Sequence, residues 1–313
     1  MAATLLARGL KLSHLRLAAQ LGRLGSVSDA AGAMRISQPA ASRLASEAEA
    51  ILGAPLYLRE GRGIVLTAEG AALALRAERI LAELEDAGRE LDEMREGLSG
   101  VVRIGSVTGP AVEHVLPMLR QARLSLPQVK IEIVVNTSDI LGEMLLDGRL
   151  DFALARTPAG HDPALFEAQV VSVEPVSLIV RRGHPALREA PSPAASLMEY
   201  DWVLPFEGAI LRRAVEAELA VHKLALPKRI LNTSSFLLTM ATIAQTNAIA
   251  PIASSVVRAF ATAEGPAPGI VALPSPLMIE VEPYALMGRA GRRLPPAAEA
   301  ARAILREVIS APK

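Results

Sequence analysis

Residues Ser37-Gln38-Pro39-Ala40-Ala41-Ser42-Arg43 constrain this chain more than any other stretch, because they are built to begin a helix. Ser37 suits an N-cap, and Pro39 suits a first turn, where a missing N–H costs little. Beyond them Ala41, Ala45, Ala48 and Leu52 recur at intervals of four, three and four, which marks one apolar face. Gln38, Ser42 and Ser46 recur every four residues on the opposite side, with Arg43 beside them. Upstream, Gly25 to Ile36 reads as a shorter helix and a turn. Ser28 is placed to cap that helix, and Ala30 and Ala31 permit close helix crossing. The pattern predicts a helix-turn-helix.

The polar face of the second helix carries groups that read base edges. Gln bonds adenine bidentately, Ser bonds several edges, and Arg suits guanine or phosphate. An ordinary solvated surface helix is the competing reading, and the next segment lowers it. Leu56 to Leu66 reads as two short strands around a Gly61-Arg62-Gly63 tip, which would carry Arg62 toward a minor groove. Thr67 then caps a helix expected to run to about Arg95. Along it Leu73, Ala77, Ile80, Leu84, Ala87, Leu91 and Met94 alternate spacings of four and three, a heptad seam suited to pairing with another helix. Packing against its own domain is the alternative use of that seam.

Charge follows the same division. Residues 1–66 hold eight Lys/Arg and four Asp/Glu, a net of +4. The remainder holds 25 basic and 29 acidic residues, a net of −4. A basic module on an acidic body suits selective binding of duplex DNA. Aromatic residues make up only 3%, which disfavours recognition by base stacking.

Residues 11–95 resemble the N-terminal region of LysR-type transcriptional regulators. The resemblance is carried by Gly25-Ser26 with Ala30-Ala31, and by Ile36-Ser37-Gln38-Pro39-Ala40 with Ser42-Arg43. Glu49, Leu52-Gly53, Pro55-Leu56, Arg59, Gly61-Arg62-Gly63 and Leu66-Thr67 with Gly70 follow at the family's spacing. The rest of the chain is similar to the family's effector domain, nearest to the branch of sugar-responsive and aromatic-acid-responsive regulators. Some positions depart from the pattern: Ala45 and Ala48 replace larger aliphatic residues, Ser46 and Glu47 stand where basic residues are common, and Leu15 replaces an aromatic. The resemblance implies phosphate contacts from Ser37, Arg43 and Arg59, base-edge contacts from Gln38, Pro39 and Ser42, and a minor-groove contact from Arg62. It implies pairing of protomers through Leu73, Ile80, Leu84 and Leu91, as a homodimer or homotetramer, with RNA polymerase as a further partner.

From Val101 onward strands and helices alternate. Val101–Val107, Lys130–Val135 and Asp151–Ala155 read as strands, with helices around Ala111–Ser125 and Ser138–Arg149 between them. Such alternation predicts a parallel sheet covered on both faces. The grammar resumes at Val170–Val180, Trp202–Leu204 and Ile249–Pro251, and the chain is expected to return near Ile279–Met287 before a last helix at about Ala297–Ile309. The expected fold is α+β overall. A winged helix-turn-helix (1–67) and linker helix (68–98) precede a two-subdomain α/β, periplasmic-binding-protein-like effector domain (99–313). Subdomain I covers about 101–160 and 272–313, and subdomain II about 161–271.

Clefts between such halves bind ligands at strand C-termini, where helix N-termini offer free N–H groups. Ser106, Thr108, Thr137 and Ser138 stand at those points in the first half, and Thr233, Ser234 and Ser235 in the second. Pro205 and Phe206 offer an apolar wall. Arg156, after the third strand, suits either an effector carboxylate or a surface acid. Helix capping is the plain alternative for each hydroxyl. An organic acid or a sugar would satisfy the set, and no cofactor is expected.

Catalysis finds little support. His14, His114, His161, His184 and His222 are scattered, there is no Walker or GxGxxG sequence, and there is no cysteine. The first ten residues hold no apolar run of useful length, and the uncharged stretch between Arg229 and Arg258 is studded with hydroxyls and amides. A non-enzymatic, cytoplasmic regulator is expected. Its rival is a small-molecule binding protein whose N-terminal module only dimerises.

Overall fold

The computed structural model describes residues 4–61, 63–96, 98–189, 191–260, 267 and 269–311. Arg62, Gly97 and most of the Gly265–Gly269 loop therefore lie outside the described residues, as does the side chain of Met94.

Three helices open the chain: α1 (Leu12–Leu24), α2 (Val27–Met34) and α3 (Gln38–Leu52). Leu17 and Leu21 of α1, Ala30 and Ala31 of α2, and Ala41 and Ala45 of α3 form one buried cluster. Methyl side chains at four of those positions let the three helices cross closely. Ser37 caps α3 as expected, its Oγ accepting from the Ala40 N–H. The cap of α2 is Ser26 rather than Ser28: Gly25 turns left-handed to end α1, so the next helix starts one residue after Ser26. Between α2 and α3 the turn is made by Arg35, a non-glycine residue at φ 56°.

The wing is an antiparallel pair, β1 (Tyr57–Glu60) and β2 (Gly63–Leu66). Then comes α4 (Ala68–Glu96), anchored at its first turn. Thr67 Oγ1 accepts from the Gly70 N–H and donates to the Pro55 carbonyl at 2.6 Å. Gly70 is obligatory there, since a Cβ would lie 1.9 Å from the Leu56 carbonyl oxygen.

The heptad seam of α4 splits in two. Leu73 and Ala77 are buried against Leu15, Ala18, Ala19 and Leu56 of their own domain. Leu73 is therefore not free for a partner helix, which corrects the expectation from spacing alone. Ile80, Leu84 and Leu91 remain about half exposed.

Beyond α4, β3 (Gly100–Ser106) leads through α5 (Thr108–Pro110) and a π turn at Ala111–Val115 into α6 (Leu116–Ser125). Next come β4 (Val129–Val135), α7 (Ser138–Leu146) and β5 (Phe152–Ala155). These three strands are parallel, as their crossover helices require. The sheet as a whole is mixed, not parallel throughout. Strand β6 (Phe166–Arg181) is 16 residues long, and it runs antiparallel to the last strand, β11 (Glu280–Arg289).

Between β6 and β11 lie α8 (Ala194–Leu197), β7 (Trp202–Leu204), α9 (Ile210–Val221), β8 (Ile230–Asn232) and α10 (Phe236–Gln245). There follow β9 (Ala250–Ala253), α11 (Ser254–Phe260) and β10 (Ile270–Ala272), and α12 (Pro296–Ser310) closes the chain. The strand order is β10-β6-β11-β5-β3-β4, with β9 also on β6. Phe166–Pro175 of β6 pairs with β11, while Val176–Arg181 pairs with β9 and β10. One strand thus serves both halves, and the first half keeps β6 well past the expected break at 160. Each half has its own core, one around Ile104, Phe152 and Leu305, the other around Trp202, Val215 and Ile249.

Helix α4 is fastened to this body by a buried ionic cluster. Arg292 bonds Asp86 of α4 through both Nε and Nη2, at 2.6 and 2.8 Å. It also reaches Asp151 at 3.2 Å and the Leu150 carbonyl at 2.6 Å. Arg89 of α4 donates to Asp86 and Asp151 from the other side. Close packing supports the ions: a Cβ on Gly148 would lie 2.6 Å from that of Ala82.

Candidate nucleic-acid interface and effector cleft

The outer face of α3 gathers the polar side chains that spacing assigned to it. Ser37, Gln38, Pro39, Arg43 and Ser46 are exposed and Ser42 is half-buried, while Ala41, Ala45 and Ala48 face inward. Gln38 Nε2 donates to Ser42 Oγ at 3.0 Å, which holds both side chains on one patch. Arg59, exposed on the wing, forms no side-chain hydrogen bond or ion pair among the described residues, and neither does Arg43. Arg35, exposed at the turn ahead of α3, adds a cation that spacing did not single out. Glu47, the acidic departure on α3, has a partner of its own. It accepts from Nε2 of buried His14 at 3.2 Å, while His14 Nδ1 accepts the Lys11 N–H.

In the second part of the chain the strand ends collect in two groups. Ser106 lies beside Val135 of β4 and Leu154 of β5, so the residues following these strands are neighbours. Thr108 and Thr137 are exposed there and Ser138 half-buried. Ser106 itself is fully buried, its hydroxyl donating to the Val107 carbonyl, which removes it from the open surface. In the second half, Thr233 N–H bonds the Leu204 carbonyl and so sets Pro205 and Phe206 beside Thr233, Ser234 and Ser235. Phe206 is 58% exposed. Ser235 caps α10, the plain role foreseen for a hydroxyl at that position.

Arg156 is the exception to its expected surroundings. It is buried rather than superficial, and its Nη2 meets Glu174 at 2.6 Å while Nε donates to the Glu282 carbonyl. Its backbone N–H donates to Ser138 Oγ. Glu174 belongs to β6 and Glu282 to β11, so Arg156 ties the first half to the two strands shared by both. Glu174 also lies against Gly109, where a Cβ would come within 2.0 Å of its carboxylate. No sequence motif announced Glu174. It sits mid-strand and meets Arg156 only through the β11 pairing.

Comparison with known proteins gives these two regions their meaning. Residues 12–71 match the family model of the bacterial regulatory helix-turn-helix protein, lysR family. Residues 95–310 match the LysR substrate binding domain. This chain belongs to the LysR family of transcriptional regulators. It is 46% identical to the HTH-type transcriptional regulator GbpR of Rhizobium radiobacter over 77% of this chain and 81% of that protein. To GbpR of Azospirillum brasilense it is 36% identical, over 95% and 86% of the two chains. Full-length CbnR, solved with its target DNA, shares the fold at a TM-score of 0.63 and 21% identity, covering 96% of this chain and all of that one.

As a LysR-family member, the chain is a DNA-binding transcriptional regulator with an effector-binding domain, not an enzyme. Its histidines accord with that: His114 bonds Tyr284 Oη and His184 the Asn247 carbonyl, both structural contacts. Among the described residues no group of His, Asp and Glu could hold a metal, and no helix is long and apolar enough to cross a membrane.

Proposed function

We propose that this regulator binds an imperfect palindrome in duplex DNA as a homo-oligomer whose pairing unit is a dimer. Helix α3 enters the major groove. Gln38, Pro39 and Ser42 meet base edges, Ser37, Arg43 and Arg59 meet phosphates, and Arg62 reaches the minor groove. Protomers pair through Ile80, Leu84 and Leu91, a stripe on α4 left exposed while Leu73 and Ala77 pack at home. That exposure is the observation that carries the dimer, since apolar side chains at spacings of four and seven share one helix face.

A small molecule in the cleft, held by Thr108, Thr137, Ser138, Ser234 and Ser235 with Pro205 and Phe206 as apolar wall, shifts the arrangement of protomers on DNA. Its chemistry is that of a sugar rather than an organic acid. Arg156 is already neutralised by Glu174, which favours hydroxyl donors over a carboxylate. Binding to one arrangement more tightly than the other is what moves the equilibrium. The regulator works in the cytoplasm, with RNA polymerase as its downstream partner.

The test is selection of genomic fragments by the purified protein at physiological salt, with and without candidate sugars. Enrichment of a short two-fold-related motif, altered by one sugar, supports the reading. A well-folded dimer that enriches no motif refutes it.

A further inference from the structure

A cavity of about 290 Å3 lies between α4 and the effector domain, walled by Arg79, Ile80 and Glu83 on one side and Leu165 and Arg289 on the other. Its charge is unbalanced. Its lining holds two guanidinium groups, Arg79 and Arg289, against one carboxylate, Glu83, while Arg89 and Arg292 are paired with Asp86 and Asp151 beside it. Each carboxylate is already bonded. Glu83 meets Arg289 at 2.6 Å, and Asp86 and Asp151 are held by Arg89 and Arg292. The nearby Glu167 accepts from the Gly291 N–H. Arg79 is left over: its buried Nε has no acceptor among the described residues. Arg289 is 6% exposed, and its Nη1 likewise has none. Burial, with Arg292 and Arg79 close by, makes that guanidinium less basic than usual. Buried donors of charged groups are normally satisfied, so this pair calls for an acceptor.

We propose that this cavity is a second ligand site, taking a small organic carboxylate across Arg79 and Arg289. The anion supplies the missing charge and acceptors, and the guanidinium fork suits a carboxylate. Ala164 and Leu165 offer an apolar wall for a short alkyl body, which an inorganic anion would leave unused, while Ile80 at the rim belongs to the pairing stripe of α4. The volume falls at the small end of ligand pockets, which span about 300–1,000 Å3, so the ligand is a few carbons long. One wall is the linker helix and the other the effector domain. Occupation therefore strengthens the docking of α4, and by linkage an effect on docking feeds back on affinity. The proposal does not depend on the cleft or on the sugar reading.

The test is titration calorimetry on the full chain with isovalerate, its uncharged amide and inorganic phosphate, at constant ionic strength. Isovalerate is expected to bind at least about tenfold more tightly than the amide, as for loss of a hydrogen bond to a charged group. Arg79→Gln should weaken isovalerate by roughly tenfold or more. Glu83→Gln should tighten it, because it removes the negative charge that compensates Arg289 while leaving an acceptor for Arg289 Nη2, and so adds a second unmatched cation. Circular dichroism melts of both variants establish folding. The opposite signs separate ligation from a merely structural role. Equal binding of acid and amide, indifference to Arg79→Gln, or weakening by Glu83→Gln would each overturn the site. Preference for phosphate overturns the carboxylate assignment. Absence of isovalerate binding, with dimer dissociation caused by Arg79→Gln, would assign the cavity to a partner's acidic side chain instead.

Discussion

Replacing Arg292 by Ala tests how α4 is held to the effector domain. Arg292 and Asp151 have side chains 1% exposed and Asp86 9%, so solvent screens none of them appreciably. Without Arg292, Arg89 is the one cation left to both carboxylates, Asp151 keeping only the Arg103 backbone N–H besides, and the Leu150 carbonyl loses its donor. Breaking a buried pair in this way costs about 3–5 kcal/mol, because a charge remains without compensation. The measurement is denaturant unfolding of the full chain, followed by circular dichroism.

The deficit should also depend on pH in a defined sense. Burial alone raises the pKa of Asp86, but hydrogen bonds from Arg292 and Arg89 outweigh it and hold the group below the usual aspartate range. A depressed folded pKa contributes stability above the unfolded value, ~3.9, and that stability is lost as pH falls through the folded value. The gap between parent and variant should therefore be full at neutral pH and narrow below about pH 4. Adding Asp86→Asn to the variant leaves Asp151 and Arg89 as a balanced pair and should recover much of the loss. A deficit under about 1 kcal/mol, the size of an exposed ion pair, or one that stays constant with pH, would refute this account of the cluster.

Three further outcomes are expected. Gln38→Ala or Ser42→Ala should relax base preference and cost roughly 1–3 kcal/mol at the operator, measured by competition among operator variants; unchanged preference would remove α3 from the groove. Leu84→Glu should place charge in the exposed stripe and shift the protein to monomer in sedimentation; a stable dimer would refute the seam. Gly70→Ala should destabilise the N-terminal domain by about 1–3 kcal/mol in thermal unfolding, because the new Cβ meets a carbonyl rather than a movable side chain.

Local rules carried the N-terminal third a long way. The Ser37 cap, Pro39 in the first turn and the alanine face of α3 were all legible, because capping and helical period involve residues within four of one another. The wing and the long α4 followed from turn residues and Thr67. Spacing did fail at Leu73, which fits a heptad seam and an intradomain contact equally well. Only the position of α1 decides between them. The cap of α2 moved from Ser28 to Ser26 for a similar reason: where α1 ends is fixed by left-handed Gly25.

In the effector domain the sequence determined the alternation of strands and helices, the parallel trio β3, β4 and β5, and the hydroxyls at their ends. The tertiary structure alone decided which of those groups are free. It buried Ser106, set Glu174 on Arg156 across 18 positions of chain, and brought Asp86 to Arg292 across 206. It also ran β6 and β11 antiparallel through both halves, where alternation had suggested a simple break. A cap or a helical face is a short-range property, set by residues that are always near one another. An ion pair between distant segments leaves no pattern in either, because each partner alone looks like an ordinary surface charge until the fold removes the water around both.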